Sequence, residues 1–170
     1  MLLPIVKEKR IGRIIILANV IFDTNIYIFH SFRYKDAVEV WDKCVSENNA
    51  ILISTIQITE LLSFHLIDQQ PSLKTQREKY ISLADEVILV DDIIARKAAE
   101  LRRTWKMYSG KALKLPDAVI AATAIVNDAV LFSNNDRDFN FIKENHGLKY
   151  INPIQDQAHL MNFIQEQMNK

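Results

Sequence analysis

The chain has 170 residues, 49% of them hydrophobic, which is enough for one domain with a core of its own. Its 21 basic and 21 acidic residues cancel, so no global positive charge announces a nucleic-acid partner, and any such contact has to be a local patch. Cys44 is the only cysteine, which excludes an intramolecular disulfide and a cysteine-built metal centre and fits a reducing, cytoplasmic setting.

The most apolar stretch, residues 14–22, is interrupted by Asn19 and falls short of the roughly 20 residues that span a bilayer. Basic residues precede it (Lys7, Lys9, Arg10, Arg13), as in a leader, but no small-residue cleavage site follows, and the stretch predicts a buried strand. Residues 36–48 show helical periodicity with Val38, Trp41 and Val45 on one face, and residues 50–54 form a second short apolar run suited to a parallel strand. Thr55 can cap a helix reaching about residue 66; residues 71–83 predict a helix, 86–90 a strand, and Asp92 opens a longer helix to about Met107. Pro116 starts an alanine-rich helix with Ala118, Ile120, Ala121, Ala124 and Ile125 on its apolar side. A strand over 129–132, a short helix near Phe139, a strand over 148–151 and an amphipathic helix over 155–170 (Leu160, Phe163, Ile164, Met168) complete the chain. Alternating strands and helices predict an α/β domain over residues 14–154, with a mainly parallel central sheet flanked by helices. Residues 1–13 read as an N-terminal extension and 155–170 as a C-terminal helix.

The acidic residues fall at informative places. Asp23 directly follows the first predicted strand, and in open parallel sheets ligands bind beyond the carboxyl ends of the strands. A helix-capping or turn role accounts for a single Asp there equally well. Glu60 lies six residues past the second strand, where it can project over the same sheet edge, although a Glu near a helix start also complements the dipole. Asp117 follows Pro116 at a helix start, again a position where capping is an alternative; Asp136 and Asp138 follow the strand ending at Phe132. Carboxylates gathered at one edge repel one another and raise their own pKa values unless cations lie among them. Hard oxygen donors select Mg²⁺ or Mn²⁺, whereas His30, His65, His146 and His159 are scattered as surface or loop residues would be, and offer no zinc spacing. Metal-assisted phosphodiester hydrolysis is the natural chemistry of such a cluster.

Five segments carry a resemblance: VIFDTNIYI (Asp23, Thr24, Asn25), ISTIQITELL (Ser54, Glu60), LPDAVIAATAI (Asp117), LFSNNDRDF (Ser133, Asn135, Asp138) and HGLKYINP. In this order, over roughly residues 17 to 154, the chain resembles PIN-domain ribonucleases, and among them the VapC-type toxins of type II toxin–antitoxin pairs. The resemblance implies a parallel sheet flanked by helices, an acidic Mg²⁺ or Mn²⁺ site, endoribonuclease activity on RNA, a homodimer and inhibition by a protein antitoxin. It places Asp23, Glu60 and Asp117 at the three principal acidic positions and Asp138 at the fourth, with Asn135 standing where many relatives carry an aspartate. Asp136 is read as a solvated loop charge. Thr24 and Asn25 are expected to orient Asp23 or water, and Ser133 keeps a hydroxyl where relatives usually have threonine.

Between residues 96 and 114, seven basic residues (Arg96, Lys97, Arg102, Arg103, Lys106, Lys111, Lys114) accompany one acidic residue, Glu100, with Trp105 and Tyr108 interleaved. This is either an RNA-gripping edge, with Arg102, Arg103 and Lys106 at its centre and aromatic stacking platforms, or a solvated helix face whose aromatics pack inward. Phe29, Phe32 and Phe64 are candidates for exposed apolar surface that could receive an antitoxin helix or a second copy, and core packing explains them equally. Two other classes compete. A phosphotransfer fold, such as a haloacid-dehalogenase-like phosphatase or a receiver, also places Asp after a first parallel strand, but the former wants Asp-x-Asp and position 25 is Asn. A PIN-like scaffold that binds RNA or protein without cutting is the other.

Overall fold

The structure, a computed structural model, describes residues 18–168. Five short strands form one sheet in the order β3-β2-β1-β4-β5: β1 Asn19–Phe22, β2 Ala50–Ser54, β3 Glu86–Ile88, β4 Val130–Phe132 and β5 Lys149–Ile151. Every pairing is parallel, which makes the sheet wholly rather than mainly so. Eight α-helices surround it among the described residues: α1 Thr24–Ser31, α2 Lys35–Ser46, α3 Thr55–Leu62, α4 Pro71–Leu83, α5 Asp92–Ser109, α6 Leu115–Val126, α7 Asp136–His146 and α8 Gln157–Met168. No helix among the described residues is long and apolar enough to cross a membrane.

Period-two alternation sorts the strand side chains onto two cores. Ile21, Leu52 and Leu131 point into one face and pack with α5, α6 and α7. Val20, Phe22, Ile51, Ile53 and Phe132 point into the other, under α1, α2, α4 and α8. Helix α6 is sunk in the first core, with Ala118 through Ala124 all buried. Its alanines permit that depth, since larger side chains would hold the backbone away from the sheet and from α5. The C-terminal helix docks on the second core through buried Leu160, with the Phe163 ring 5.2 Å from that of Tyr34.

Several sequence expectations need correction. The sequence pattern assigns nothing to residues 24–34, yet α1 forms there, because the Asp23 side chain accepts from the Thr24 amide and Ile26, Tyr27 and Phe29 are buried. Phe29 is therefore core, Phe64 is half-buried, and Phe32 is the one of the three that is exposed. Ser54, not Thr55, caps α3: its hydroxyl accepts from the Gln57 amide while the Gln57 side chain reaches back to the Ser54 amide. The buried face of α2 is Ala37, Trp41 and Cys44, which leaves Val45 outward. Strand β3 stops at Ile88, and Leu89 and Val90 are exposed beyond the last residue that pairs with β2. His30 and His146 are tied into the fold, His30 to the Tyr80 hydroxyl and His146 to Thr104. Residues 14–17 of the predicted first strand and the 1–13 extension lie outside the described residues.

Candidate active site

The order of the strands fixes where the site can be. The chain leaves β1 toward β2 and β3, then crosses back to β4 on the other side of β1, so the loops after β1 and β4 diverge at the carboxyl edge and open a crevice. Asp23 and Ser133 directly follow the ends of β1 and β4, and both are buried where the two strand ends meet. There the Ser133 hydroxyl donates to Asp23 Oδ2 at 2.6 Å, and Asn25 Nδ2 donates to the same oxygen at 2.9 Å and to Ser133 Oγ at 3.1 Å. The Thr24 amide reaches Asp23 Oδ1 at 2.7 Å. Gln57 Nε2 donates to the Phe22 carbonyl, pinning the start of α3 to the end of β1. Three residues further along α3, on the same side of the helix, Glu60 Oε2 accepts from the Thr24 hydroxyl at 2.7 Å. Thr24 and Asn25 thus hydrogen-bond to acidic side chains, and Thr24 holds Glu60 as well as Asp23.

Asp23 is 6% exposed, and burial lifts its carboxyl to about 7. The charges of Asp117 and Glu60 push the same way, while the Ser133 and Thr24 hydrogen bonds oppose. Asp117, in the first turn of α6, is likewise raised, to about 6, by burial and then by the charges of Asp138 and Glu60, with Lys114 and Arg137 pulling it down. Asp23 and Asp117 therefore both feel the negative charge of Glu60. Among the described residues, no ion pair includes Asp23, Glu60 or Asp117.

Asp138, in the first turn of α7, is buried but differently furnished. Arg137 Nε donates to its Oδ1 at 2.9 Å and Arg137 Nη2 to its Oδ2 at 3.1 Å, and Asn135 Nδ2 adds a 3.1 Å bond to Oδ2. Burial pushes this carboxyl up, but the Arg137 and Asn135 hydrogen bonds and the charges of Arg137 and Lys114 outweigh it, so it sits below the ordinary carboxylate range. Asn135 serves as a donor to Asp138, and its amide nitrogen donates to Ser133 Oγ at 3.1 Å. Asp136 is no loose loop charge: it begins α7 and accepts from Tyr150 Oη and Asn152 Nδ2, both at 2.8 Å. Tyr150 also donates to the Ser133 carbonyl, so β5 braces the loop that carries Ser133 and Asn135.

The donor set suits a hard divalent cation in chemistry: carboxylates without cationic partners and the Asn25 Oδ1 oxygen, which is buried with no hydrogen-bond partner. In geometry, no three His, Cys, Asp or Glu side chains among the described residues converge closely enough to form a finished metal cage.

The basic patch divides. Arg102 Nε donates to the Leu113 carbonyl and Lys106 Nζ to the Gly110 carbonyl, tying the end of α5 to the loop before α6. Arg96 and Lys97 pair with Asp92 and Glu100 on their own helix. Trp105 is buried against Phe141 and provides no platform, whereas Tyr108 is exposed and stacks on Phe141 with ring centres 4.4 Å apart. The positive charges felt by the acids are those of Lys114 and Arg137. Arg137 is absent from the sequence-based candidates; its only signal is its place between two acids in Asp-Arg-Asp.

A family model described as "PIN domain" matches residues 20–145. The chain belongs to the PIN-domain family. That membership leaves the phosphotransfer alternatives without support. The solved structures similar to this PIN domain include VapBC2 from Rickettsia felis bound to a promoter DNA fragment, at 24% identity and a TM-score of 0.64, covering 79% of this chain and 98% of that one. A toxin–antitoxin complex from Klebsiella pneumoniae matches at 25% identity and a TM-score of 0.59, covering 81% and 99%. VapBC-1 from nontypeable Haemophilus influenzae matches at 22% identity and a TM-score of 0.63, covering 79% and 98%. No curated protein sequence matches the chain significantly.

Proposed function

We propose that this PIN domain is a metal-dependent endoribonuclease and the toxin of a toxin–antitoxin pair, acting in the cytoplasm. The observation that carries the reading is the pair Asp23 and Asp117: neither takes part in an ion pair among the described residues, and burial together with the charge of Glu60 lifts them to about 7 and about 6. Asp23, Glu60 and Asp117 would hold Mg²⁺ or Mn²⁺, with Asp138 as the fourth acid of the group. Such an ion polarises a phosphoryl oxygen and supplies hydroxide near neutral pH.

The chain's own residues prepare that chemistry. Ser133 and Asn25 lock one oxygen of Asp23, and the Thr24 amide the other, so its carboxylate is fixed before any ligand arrives. Thr24 fixes Glu60 by the same economy. Water adds to phosphorus, one bridging P–O bond breaks, and the leaving oxygen takes a proton. Arg103, exposed on α5, and Lys114, at the α6 start, are the basic groups we assign to the RNA backbone, with Arg102 and Lys106 contributing charge while bonded to the loop.

RNA cleavage in Mg²⁺ or Mn²⁺, quenched by EDTA and absent in D23N, is the expected result; full activity in D23N or in EDTA would sink the nuclease reading. A second reading, a PIN-like module that binds RNA without cutting, is favoured by one feature alone, the occupation of Asp138 by Arg137. Binding without cleavage under any divalent ion would establish it.

Among the similar structures, that from Klebsiella pneumoniae is a toxin–antitoxin complex. For this chain we extend the proposal to an antitoxin, tested by relief of growth arrest on co-expression of a small neighbouring gene. We extend it also to a homodimer, tested by light scattering. The apolar edge of Leu89, Val90, Ile93 and Leu115 supports the latter: all are exposed, beside a cleft of about 430 Å³ between α3, α5 and α6.

A further inference from the structure

We propose that Arg137 is a built-in counter-charge that stands in for a second metal ion, so that the site loads one divalent ion and presents a guanidinium to the RNA phosphate. This rests on the metal-dependent reading above and specifies the substrate side of the same site.

The two halves of the acidic group are unequal. Both oxygens of Asp138 are already taken, Oδ1 by Arg137 Nε and Oδ2 by Arg137 Nη2 and Asn135 Nδ2. A two-point Arg–carboxylate contact is among the strongest polar contacts available to side chains, and the planar fork carries its charge at every working pH. Asp138 itself is only 2% exposed, so a metal that displaced Arg137 would have to break both bonds at a site with little access to solvent. A dication seated beside an undisplaced guanidinium would meet repulsion instead. Asn135 reinforces the asymmetry, because it gives Asp138 a hydrogen-bond donor where a carboxylate would have given a second ion a ligand. Asp23 and Asp117, by contrast, have no hydrogen bond from any Lys or Arg among the described residues.

The guanidinium is also placed for a substrate. The Arg137 side chain is 73% exposed although its partner is buried, and Nη1 makes no hydrogen bond among the described residues. It sits where its charge reaches Asp117 as well as Asp138. A phosphate oxygen approaching Asp117 therefore meets free N–H groups of a cation already oriented by Asp138, at no cost in ordering.

Mn²⁺ titration followed by electron paramagnetic resonance counts the ions per chain in the wild type, R137Q and D138N, with D117N as a control, and circular dichroism confirms folding. The expected result is one ion in the wild type, loss of that ion in D117N, one ion at an affinity within about threefold in D138N, and two ions in R137Q. Binding of an RNA carrying a non-hydrolysable linkage, measured without metal, is expected to weaken about tenfold in R137Q and less in R137K, which keeps the charge but not the fork. Two ions in the wild type, with one lost in D138N, would overturn the proposal while leaving the nuclease reading intact. A folded R137Q that still binds one ion overturns it too, and should R137Q fail to fold, a D138N affinity reduced tenfold or more does the same. A wild type that binds no ion overturns the metal-dependent reading itself, and this proposal with it.

Discussion

The corner where β1 meets α1 and the corner where β4 meets α7 both present an acid to the same crevice, yet they have solved the problem of burying a charge in opposite ways. Asp23 is surrounded by neutral donors (Ser133, Asn25 and the Thr24 amide), and its carboxyl rises to about 7 despite them. Asp138 takes an arginine fork and falls below the ordinary range. Neutral hydrogen bonds orient a carboxylate without discharging it, whereas an ion pair discharges it and uses up its lone pairs. The first corner is therefore left needing a cation from outside, and the second has brought its own. Asp117 lies between, pushed up to about 6 by burial and by Asp138, and restrained by Lys114 and Arg137.

The most severe way to probe this contrast is to remove the charge from the cation-seeking corner. D23N or D117N is expected to lower RNA cleavage on the order of a thousandfold, the scale of several kcal/mol of lost charge stabilisation. Initial rates in Mn²⁺ measure it, and a loss under tenfold would place the chemistry elsewhere.

Protein stability offers the next test. The folded-state pKa of Asp23, about 7, lies above its unfolded value, so the folded chain binds the extra proton across that window. The contribution is favourable at the acid end and is lost as pH rises through 7. In metal-free protein the stability of D23N relative to the wild type should then grow by about 3 kcal/mol from pH 5 to pH 8. Added Mn²⁺ should raise the wild-type melting temperature at pH 8 and leave that of D23N unchanged. Denaturant titrations at the two pH values read the first, and thermal melts the second. A gap that shrinks with pH would mean that Asp23 is charged and satisfied in the free protein.

A smaller change sharpens the role of the neutral donors. S133A removes the 2.6 Å bond that opposes the rise in Asp23, at an expected cost of about 1–3 kcal/mol. The pH at which cleavage reaches half its plateau should move upward in this variant; an unchanged midpoint would deny Ser133 its influence on Asp23. The smallest effect is expected at an exposed residue outside both corners. R103A on α5 should raise KM by roughly threefold at low salt and less at high salt, with kcat preserved, as loss of one phosphate contact requires. A fall in kcat alone would bring Arg103 into the catalytic group.

Much of this protein was legible in its residues because the relevant signals are local. The runs 50–54 and 71–83 match β2 and α4 at both ends, and the switch from period two to period 3.6 at each boundary needs no partner to be seen. The positions of Asp23 and Asp117 were likewise local matters, since Asp23 directly follows β1 and Asp117 lies in the first turn of α6, whereas Glu60 sits in the second half of α3. Helix α1 was hidden because Ile26, Tyr27, Ile28 and Phe29 read as a β-type run, and only burial against the second core decides for a helix. The basic stretch 96–114 left two readings open for the same reason: charge in sequence does not say that Arg102 and Lys106 spend hydrogen bonds on the Leu113 and Gly110 carbonyls.

Sequence alone thus determined the α/β class, the order of the five strands and the family, because propensity, periodicity and motif are written in neighbouring residues. Only the tertiary structure decided which acids stay uncompensated. That depends on what lies across the crevice: Ser133, 110 positions away in sequence, bonds to Asp23, while Arg137 claims Asp138. A charge is raised or quenched by distance in space and by the water it has lost, and neither quantity exists until the chain has folded.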